Sequence, residues 1–413
     1  MRKSRLLPKN NFFFLIGDLF MKRVVIIGGG GGGAILANLL PFDEYKVTVI
    51  DKSKYHHFQP GNLWIAFKGV KKDKFLRPIQ ELLKPNVSFV NDEVVEVDLT
   101  NRAVKTAGGM QLDYDYVIMA SGVQLDYDAI PGHKELVERF GDFYSTPENA
   151  EKLYSSLSSL TSGRFIIAIA DPIYKCPPGP HKGAFLSWDL FARRGLKDKV
   201  KVVLAVPVPH AYPSKVVSDI IEPELNARGI ELHTFFTANE IDLENKKIIS
   251  LEGEELAFDV ASVIPPHKGV SYKVIPENVK DASGYIKIDK YTSQVEGFDD
   301  AFAIGDCTNA PTSKSGVTAH LQAEVVAARL QGVDARYSGR TNCPLITDGK
   351  GLFVISDYDH PPMPVRISRF KRLMEDLFVA TYWSAIRYPE LWSPIFKAYF
   401  EATDEMLRSG GRW

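Results

Sequence analysis

Six consecutive glycines at positions 28–33 stand between the apolar, β-branched run 22–27 and the helical stretch Ala34-Ile35-Leu36-Ala37-Asn38-Leu39-Leu40. A glycine run by itself reads equally well as a flexible loop. Placed between a strand and a helix, with Asp51 about 20 residues on at the end of a second apolar strand (47–50), it reads as a βαβ unit of the dinucleotide-binding kind. Within Gly28-x-Gly30-x-x-Gly33, the first glycine allows the tight turn and the second lets a pyrophosphate approach the backbone at the helix N-terminus. The third permits close packing of helix on strand. Asp51 would accept hydrogen bonds from a ribose.

At 413 residues the chain is too long for one core of about 100 to 200 residues, so two or three packed units are expected. Strands are expected near 87–97 and 104–106, and Tyr114 to Gly122 reads as a buried strand entering a turn. A helix at 147–160 and a buried strand at 165–170 open a second α/β unit, with later strands at 200–206 and 230–236. Between those two, Ile220, Ile221 and Leu225 mark a helix. The chain then returns to the first unit through 301–306 and a helix at 316–330. The expected division is an extension at 1–20, a discontinuous first dinucleotide-binding domain at 21–131 and 284–335, a second Rossmann-like domain at 132–283, and a C-terminal region at 336–413. No short-period repeat is present.

With 50 basic and 51 acidic residues the chain has no electrostatic footprint for nucleic acid, which is excluded as a partner. Three cysteines cannot form a disulfide scaffold, and the odd count leaves thiols for chemistry or packing. There is no Cys-x-x-Cys, His-Glu-x-x-His or Gly-x-Ser-x-Gly, so no metal site or hydrolytic triad is expected. His56 and His57 are adjacent and must face different ways. The apolar run near 12–16 is interrupted by Asp18, too short to span a bilayer at about 20 residues and without a convincing cleavage site. Residues 1–20 therefore read as an extension or a misplaced start.

The glycine fingerprint alone does not separate NAD from FAD. Ala120-Ser121-Gly122 resembles the Ala-Thr-Gly turn of two-dinucleotide-domain flavoproteins, and Ala303-Ile304-Gly305-Asp306 resembles their second flavin signature, in which the aspartate binds the ribityl chain. The resemblance implies FAD as cofactor, with Ser121, Gly122, Gly305 and Asp306 joining Gly28, Gly30, Gly33 and Asp51 in holding it. The second unit lacks a matching fingerprint. Its first strand runs into Asp171-Pro172-Ile173-Tyr174-Lys175-Cys176-Pro177-Pro178-Gly179-Pro180. A pyrophosphate there would meet Cβ atoms and prolines without N–H donors, which disfavours a nicotinamide donor.

These segments, together with Phe58-Gln59-Pro60-Gly61-Asn62-Leu63-Trp64, Ile264-Pro265-Pro266, Asn342-Cys343-Pro344-Leu345 and Asp348-Gly349-Lys350, resemble the sulfide:quinone oxidoreductase family and its near relative, the flavoprotein subunit of flavocytochrome c sulfide dehydrogenase. The likeness runs from residue 24 to about 360. It implies an α/β fold with two Rossmann-like dinucleotide-binding domains, glutathione-reductase-like, followed by a C-terminal amphipathic helical region. It also implies that Cys176 and Cys343 form a redox pair beside the flavin. Sulfide would attack the pair, two electrons would pass to FAD, and sulfur would accumulate on cysteine until a polysulfide leaves. Lys314 resembles the lysine near the flavin and quinone head, where a cation favours the reduced, anionic flavin. His210, in Pro207-Val208-Pro209-His210, resembles a family histidine near the sulfide channel.

Two positions depart from the family pattern. Many members carry a third functional cysteine just before a Thr-Pro or Thr-Val helix start; here that position is Ser145, which argues for non-covalent FAD and a two-cysteine cycle. Some members carry a glutamate six residues after the first redox cysteine, where this chain has Lys182. A lysine favours thiolate but cannot act as a carboxylate base. Cys307, directly after Asp306, reads as a packing residue.

From 366 to 413 the chain interleaves Phe370, Leu373, Met374, Leu377, Phe378, Tyr382, Trp383, Trp392, Ile395 and Phe396 with Lys371, Arg372, Arg387 and Lys397. Such a pair of helices, broken near Pro389 and Pro394, suits peripheral, monotopic attachment to a membrane that delivers a quinone, on a face left open. Phe353, Phe370 and Tyr382 are candidate walls of a quinone channel. A dimer interface or core packing is the plainer alternative for this tail, and homo-oligomerisation stays open. The leading expectation is a sulfide:quinone oxidoreductase. The alternatives are a sulfide dehydrogenase subunit passing electrons to a cytochrome, which the missing signal sequence disfavours, a type II NADH:quinone reductase, and a flavin-bearing protein without turnover.

Overall fold

The computed structural model describes residues 21–365 and 367–408; the expected extension at 1–20 lies outside them. The chain enters through β1 (Lys22–Ile27), α1 (Gly31–Leu39), β2 (Tyr45–Asp51), β3 (Ser88–Asn91) and β4 (Tyr116–Met119). These strands, joined by Ala301–Ala303 from much later in the chain, form a five-stranded sheet in the order Ala301–Ala303, β4, β1, β2, β3, parallel throughout. Parallel strands are covered on both faces and so read as unbroken apolar runs. In β1, Val24 and Ile26 enter one core while Val25 and Ile27 enter another on the opposite face. That is the period-two alternation of a strand.

The second sheet repeats the plan with β5 (Gly163–Ile169), β6 (Val200–Ala205), β7 (Glu231–His233) and β8 (Val260–Ile264), in the parallel order β7, β6, β5, β8. Phe165, Ile167 and Ile169 of β5 face one core and Ile166 and Ala168 the other. Its helices are α2 (Pro147–Ser159), with Thr146 capping it by accepting from Asn149 N, then α3 (Gly179–Arg193) and α4 (Lys215–Arg228). Helix α5 (Gly316–Leu330) packs on α1 in the first unit. The architecture is α/β with two Rossmann-like units, as expected. Two details differ. The run at 87–97 is two strands, Ser88–Asn91 and Val94–Asp98, and the strand expected at 230–236 is confined to β7.

The C-terminal region holds an antiparallel pair, β9 (Thr341–Ile346) and β10 (Gly351–Ser356), in which Cys343 stands opposite Val354. Two helices follow, α6 (Arg369–Arg387), capped by the Ser368 hydroxyl, and α7 (Pro389–Arg408). The break falls at Pro389, a proline at the first position of a helix. Pro394 lies inside α7, so no second break occurs there. Helix α6 packs on α1 and on β10, and its docking is built from polar as well as apolar groups. The Asn38 amide on α1 donates to Leu82 O and Ile386 O, both at 2.8 Å, and accepts from Lys84 N.

Candidate active site

The glycine loop has the form a dinucleotide requires. Gly28 has φ +106°, and a Cβ there would sit 2.5 Å from Ala120 O. At Gly33 a Cβ would lie 2.0 Å from Gly28 O, so helix and strand pack as closely as the fingerprint requires. A Cβ on Gly30 would meet nothing within 4 Å, which leaves the backbone there open to a ligand. Asp51 ends β2 and accepts from Gly29 N at 2.7 Å and Ser53 N at 2.8 Å; burial pushes its carboxyl up. Gly122 has φ +69°, and the Ser121 hydroxyl lies 3.3 Å from Tyr272 Oη.

Across the first sheet, Gly305 N donates to Gln322 Oε1, and Asp306 follows with Oδ1 buried and without a hydrogen-bond partner. Burial pushes the Asp306 carboxyl up, against Lys314 and Lys175, which hold it down. A buried acceptor left over beside an open glycine loop fits a polyhydroxyl chain, so the residues present suit FAD. Lys314 Nζ donates to Asp306 O and Thr308 O, both at 3.0 Å, and stands 3.7 Å from the centre of the Tyr285 ring.

Between β5 and α3 the chain makes a nine-residue loop, 170–178, instead of a glycine turn. Cys176 sits in it with φ +53°, a left-handed conformation that costs a non-glycine residue energy and must be held by its surroundings. Its N–H donates to Lys314 O at 2.8 Å, and its carbonyl accepts from Gly179 N at 2.7 Å and Tyr144 Oη at 3.1 Å. The loop carrying the first cysteine is thereby tied to the residue beside Asp306.

Cys176 is half-buried and Cys343 buried, and both are free thiols. Burial pushes the Cys176 thiol up, with Lys182 pulling it down, Glu375 and Asp306 pushing it up and Lys175 pulling it down. Burial likewise pushes Cys343 up to about 12; the charge of Cys176 adds to the rise, while Lys182 and the Ser315 hydroxyl oppose it. The charge of Cys176 thus reaches the Cys343 sulfur. Lys182, in the second turn of α3, forms an ion pair with Glu375 of α6 at 3.2 Å, with side chains only 1% and 3% exposed. Burial lowers Lys175 to about 8.

Cys307 is elsewhere, fully buried in a core of the first unit, with its thiol donating to Met119 O and Ile304 O. The Ser145 hydroxyl donates to both carboxylate oxygens of Asp142 and accepts from Asn149 Nδ2. His210 is half-buried in a loop whose Pro207, Val208 and Ala211 wall a small cleft with Tyr174 and His181. The leading charges at the two sulfurs come from Lys182, Glu375, Asp306 and Lys175, not from His210. Tyr144, Tyr174 and Tyr212, whose hydroxyls feel Cys176, were missed in the sequence, where a tyrosine in a loop carries no spacing signal.

The candidate quinone walls do not come together. Phe353 packs with Ile355 and Val365, Phe370 is 64% exposed, and Tyr382 stacks on Phe58 with ring centres 4.1 Å apart. Among the described residues, no cluster of three His, Cys, Asp or Glu side chains could hold a metal ion, and no helix is long and apolar enough to cross a membrane.

Two parallel-sheet units, an open glycine loop and a buried, unpartnered aspartate define the class as that of the Rossmann-like dinucleotide-binding α/β proteins. In agreement, residues 22–166 match the family model described as pyridine nucleotide-disulphide oxidoreductase. Within that class the chain resembles the sulfide:quinone oxidoreductases. It is 25% identical to the mitochondrial sulfide:quinone oxidoreductase of Mus musculus, over 82% of this chain and 80% of that one. The sulfide:quinone oxidoreductase structure from Aquifex aeolicus superposes with a TM-score of 0.77 at 20% identity, covering 89% of this chain and 91% of that one. A type II NADH:quinone oxidoreductase of Staphylococcus saprophyticus is 23% identical over 64% of this chain and 68% of its own.

Proposed function

We propose that this protein is a sulfide:quinone oxidoreductase that binds FAD non-covalently and oxidises sulfide through Cys176 and Cys343. The observation that carries the proposal is that the charge of Cys176 reaches Cys343, far away in sequence, and that Lys182 and Asp306 act on both thiols. Bound FAD would supply a two-electron acceptor for the cysteine pair and a donor to the quinone. Gly30 and the α1 N-terminus would take the pyrophosphate, Asp51 a ribose and Asp306 the ribityl chain. Lys314, held by Asp306 O and Thr308 O, would place a cation at the redox end of the cofactor.

On the sulfur side, hydrosulfide attacks one sulfur of a Cys176–Cys343 disulfide. The S–S bond breaks, a new one forms to the incoming sulfur, and the other cysteine leaves as thiolate. Lys182 is the nearby cation that favours this thiolate. Overall, HS⁻, a proton and a quinone give a sulfur atom, bound for a polysulfide chain, and a quinol. His210 stands on the loop beside the cleft of Tyr174 and His181, a candidate entry for sulfide.

The tail supplies the membrane contact. Phe370, Leu373 and Leu377 of α6, and Leu391 and Ile395 of α7, are each more than half exposed. Their spacing of three and four residues puts each set along one helix face. An apolar stripe rimmed by Lys and Arg suits the headgroup region of a bilayer, from which a quinone can reach the flavin.

One anaerobic titration tests the proposal. Sulfide should bleach the flavin absorbance, NADH should not, and a soluble quinone analogue should restore it. Bleaching by NADH would favour the type II NADH:quinone reductase, which the proline-bearing loop at 171–180 disfavours.

A further inference from the structure

The Lys182–Glu375 pair joins two helices far apart in sequence, with |i−j| of 193. Lys182 stands on α3, just beyond the Cys176 loop, and Glu375 comes from α6. Both side chains are almost fully withdrawn from water, where an unpaired charge is costly to keep. The pair acts unevenly on the cysteines. Lys182 is the strongest charge acting on Cys176 and also acts on Cys343, while Glu375 is a lesser influence on Cys176 and is not among the leading ones on Cys343. The ammonium therefore weighs more on the two sulfurs than the carboxylate does.

We infer that Glu375 is a positioning residue of the cysteine site: its carboxylate keeps the buried Lys182 ammonium charged and aimed at Cys176 and Cys343, so that a C-terminal helix completes the electrostatics of the pair. The inference rests on the proposed role of the two cysteines. When hydrosulfide opens their disulfide, the leaving sulfur takes the electron pair of the broken bond, and the sulfide proton goes to solvent. Lys182 stabilises the leaving thiolate as a cation, and Glu375 offsets the cost of burying that charge.

The other titratable groups around Cys176 are Lys175 beside it, Asp306 after Ala301–Ala303, Cys343 on β9, and the hydroxyls of Tyr144, Tyr174 and Tyr212. Variants at 182 and 375 leave all of them in place. The test is the pH dependence of Cys176 alkylation by iodoacetamide in the reduced, flavin-loaded full-length protein, read by peptide mass spectrometry. K182M and E375Q should each slow alkylation near neutral pH by about tenfold, the equivalent of an upward shift of about one unit in the profile. K182R should stay close to the unsubstituted protein. The double variant K182M/E375Q removes both charges, so it should fold and melt better than either single variant and still alkylate slowly. An E375Q profile that is unchanged or faster would overturn the inference, and so would a folded double variant with the original profile. Because alkylation needs neither sulfide nor quinone, a shifted profile in a protein that does not oxidise sulfide supports this inference and removes the proposed function. Sulfide oxidation with an unshifted profile does the reverse.

Discussion

His56 Nε2 lies 2.8 Å from the hydroxyl of Tyr382, while its Nδ1 lies 3.0 Å from Gly29 O. A carbonyl only accepts, so Nδ1 carries the proton and Nε2 accepts from tyrosine. One imidazole thus ties helix α6 to the glycine loop that would hold the pyrophosphate. Replacing Tyr382 with Phe keeps the ring on Phe58 but leaves a buried Nε2 without its donor, at a cost of about 1–3 kcal/mol. We expect a lower melting temperature and weaker flavin retention in Tyr382→Phe; unchanged values for both would show that the bond contributes nothing.

Acid should destabilise the fold in a defined window. Burial lowers His56, His57 and His181 to about 4 and His267 to about 3, from an ordinary value of 6.5. Below 6.5 the unfolded chain takes up protons that the folded one does not. The stability held above 6.5 is therefore lost progressively as the pH falls toward 4. Melting temperatures measured between pH 7.5 and 4.5 should drop steadily below 6.5, and a flat profile would show that these rings are not held neutral.

The cysteines should separate by role. Cys176→Ser and Cys343→Ser should bind flavin but lose sulfide-dependent bleaching by at least about a hundredfold, because no disulfide remains to accept sulfide. In Cys307→Ser the thiol donates only to two core carbonyls, so activity should persist with a stability change of about 1 kcal/mol. Steady-state assays with sulfide and a quinone analogue distinguish the three.

Flavin content tests the unpartnered carboxylate. Asp306→Ala removes the buried Oδ1 that has no hydrogen-bond partner among the described residues, so the purified variant should hold markedly less flavin while keeping its fold by circular dichroism. Full flavin occupancy would place the ribityl chain elsewhere.

The tail invites truncation at 366, but its inner face carries Glu375, Tyr382 and Ile386, all bound into the body. Deletion would damage the fold and the membrane contact together. Substituting Phe370, Leu373 and Leu377 by Ser alters only exposed positions. That triple variant should lose most binding to anionic vesicles in a sedimentation assay while its melting temperature stays the same. Intact binding would point to a contact between copies of the chain as the use of this face.

The local parts of the fold were legible because their signals are local. The glycine loop lies between a strand and a helix, helix 316–330 keeps its predicted bounds, and β1 from Val24 and β5 from Phe165 are apolar because both faces are buried. His56 and His57 do face apart, the second bonding Asn62 Oδ1 at 2.9 Å. Contacts set by tertiary docking were not legible. Glu375 carried no signal in the sequence and Arg372 counted among the charges of an amphipathic tail, yet both are buried, with Lys182 paired to the first and Asp376 to the second. Tyr382 stands against the glycine loop, a position fixed by the docking of α6 on α1 through Asn38 and not by its own neighbours in sequence.

The central claim is that Cys176 and Cys343 act as one sulfur-handling unit, and non-reducing peptide mapping tests it most directly. Protein oxidised anaerobically with a quinone analogue and then digested should yield the 176 and 343 peptides joined, carrying extra sulfur after brief exposure to sulfide. Two separately alkylated peptides, with no linkage and no added sulfur under turnover, would contradict it.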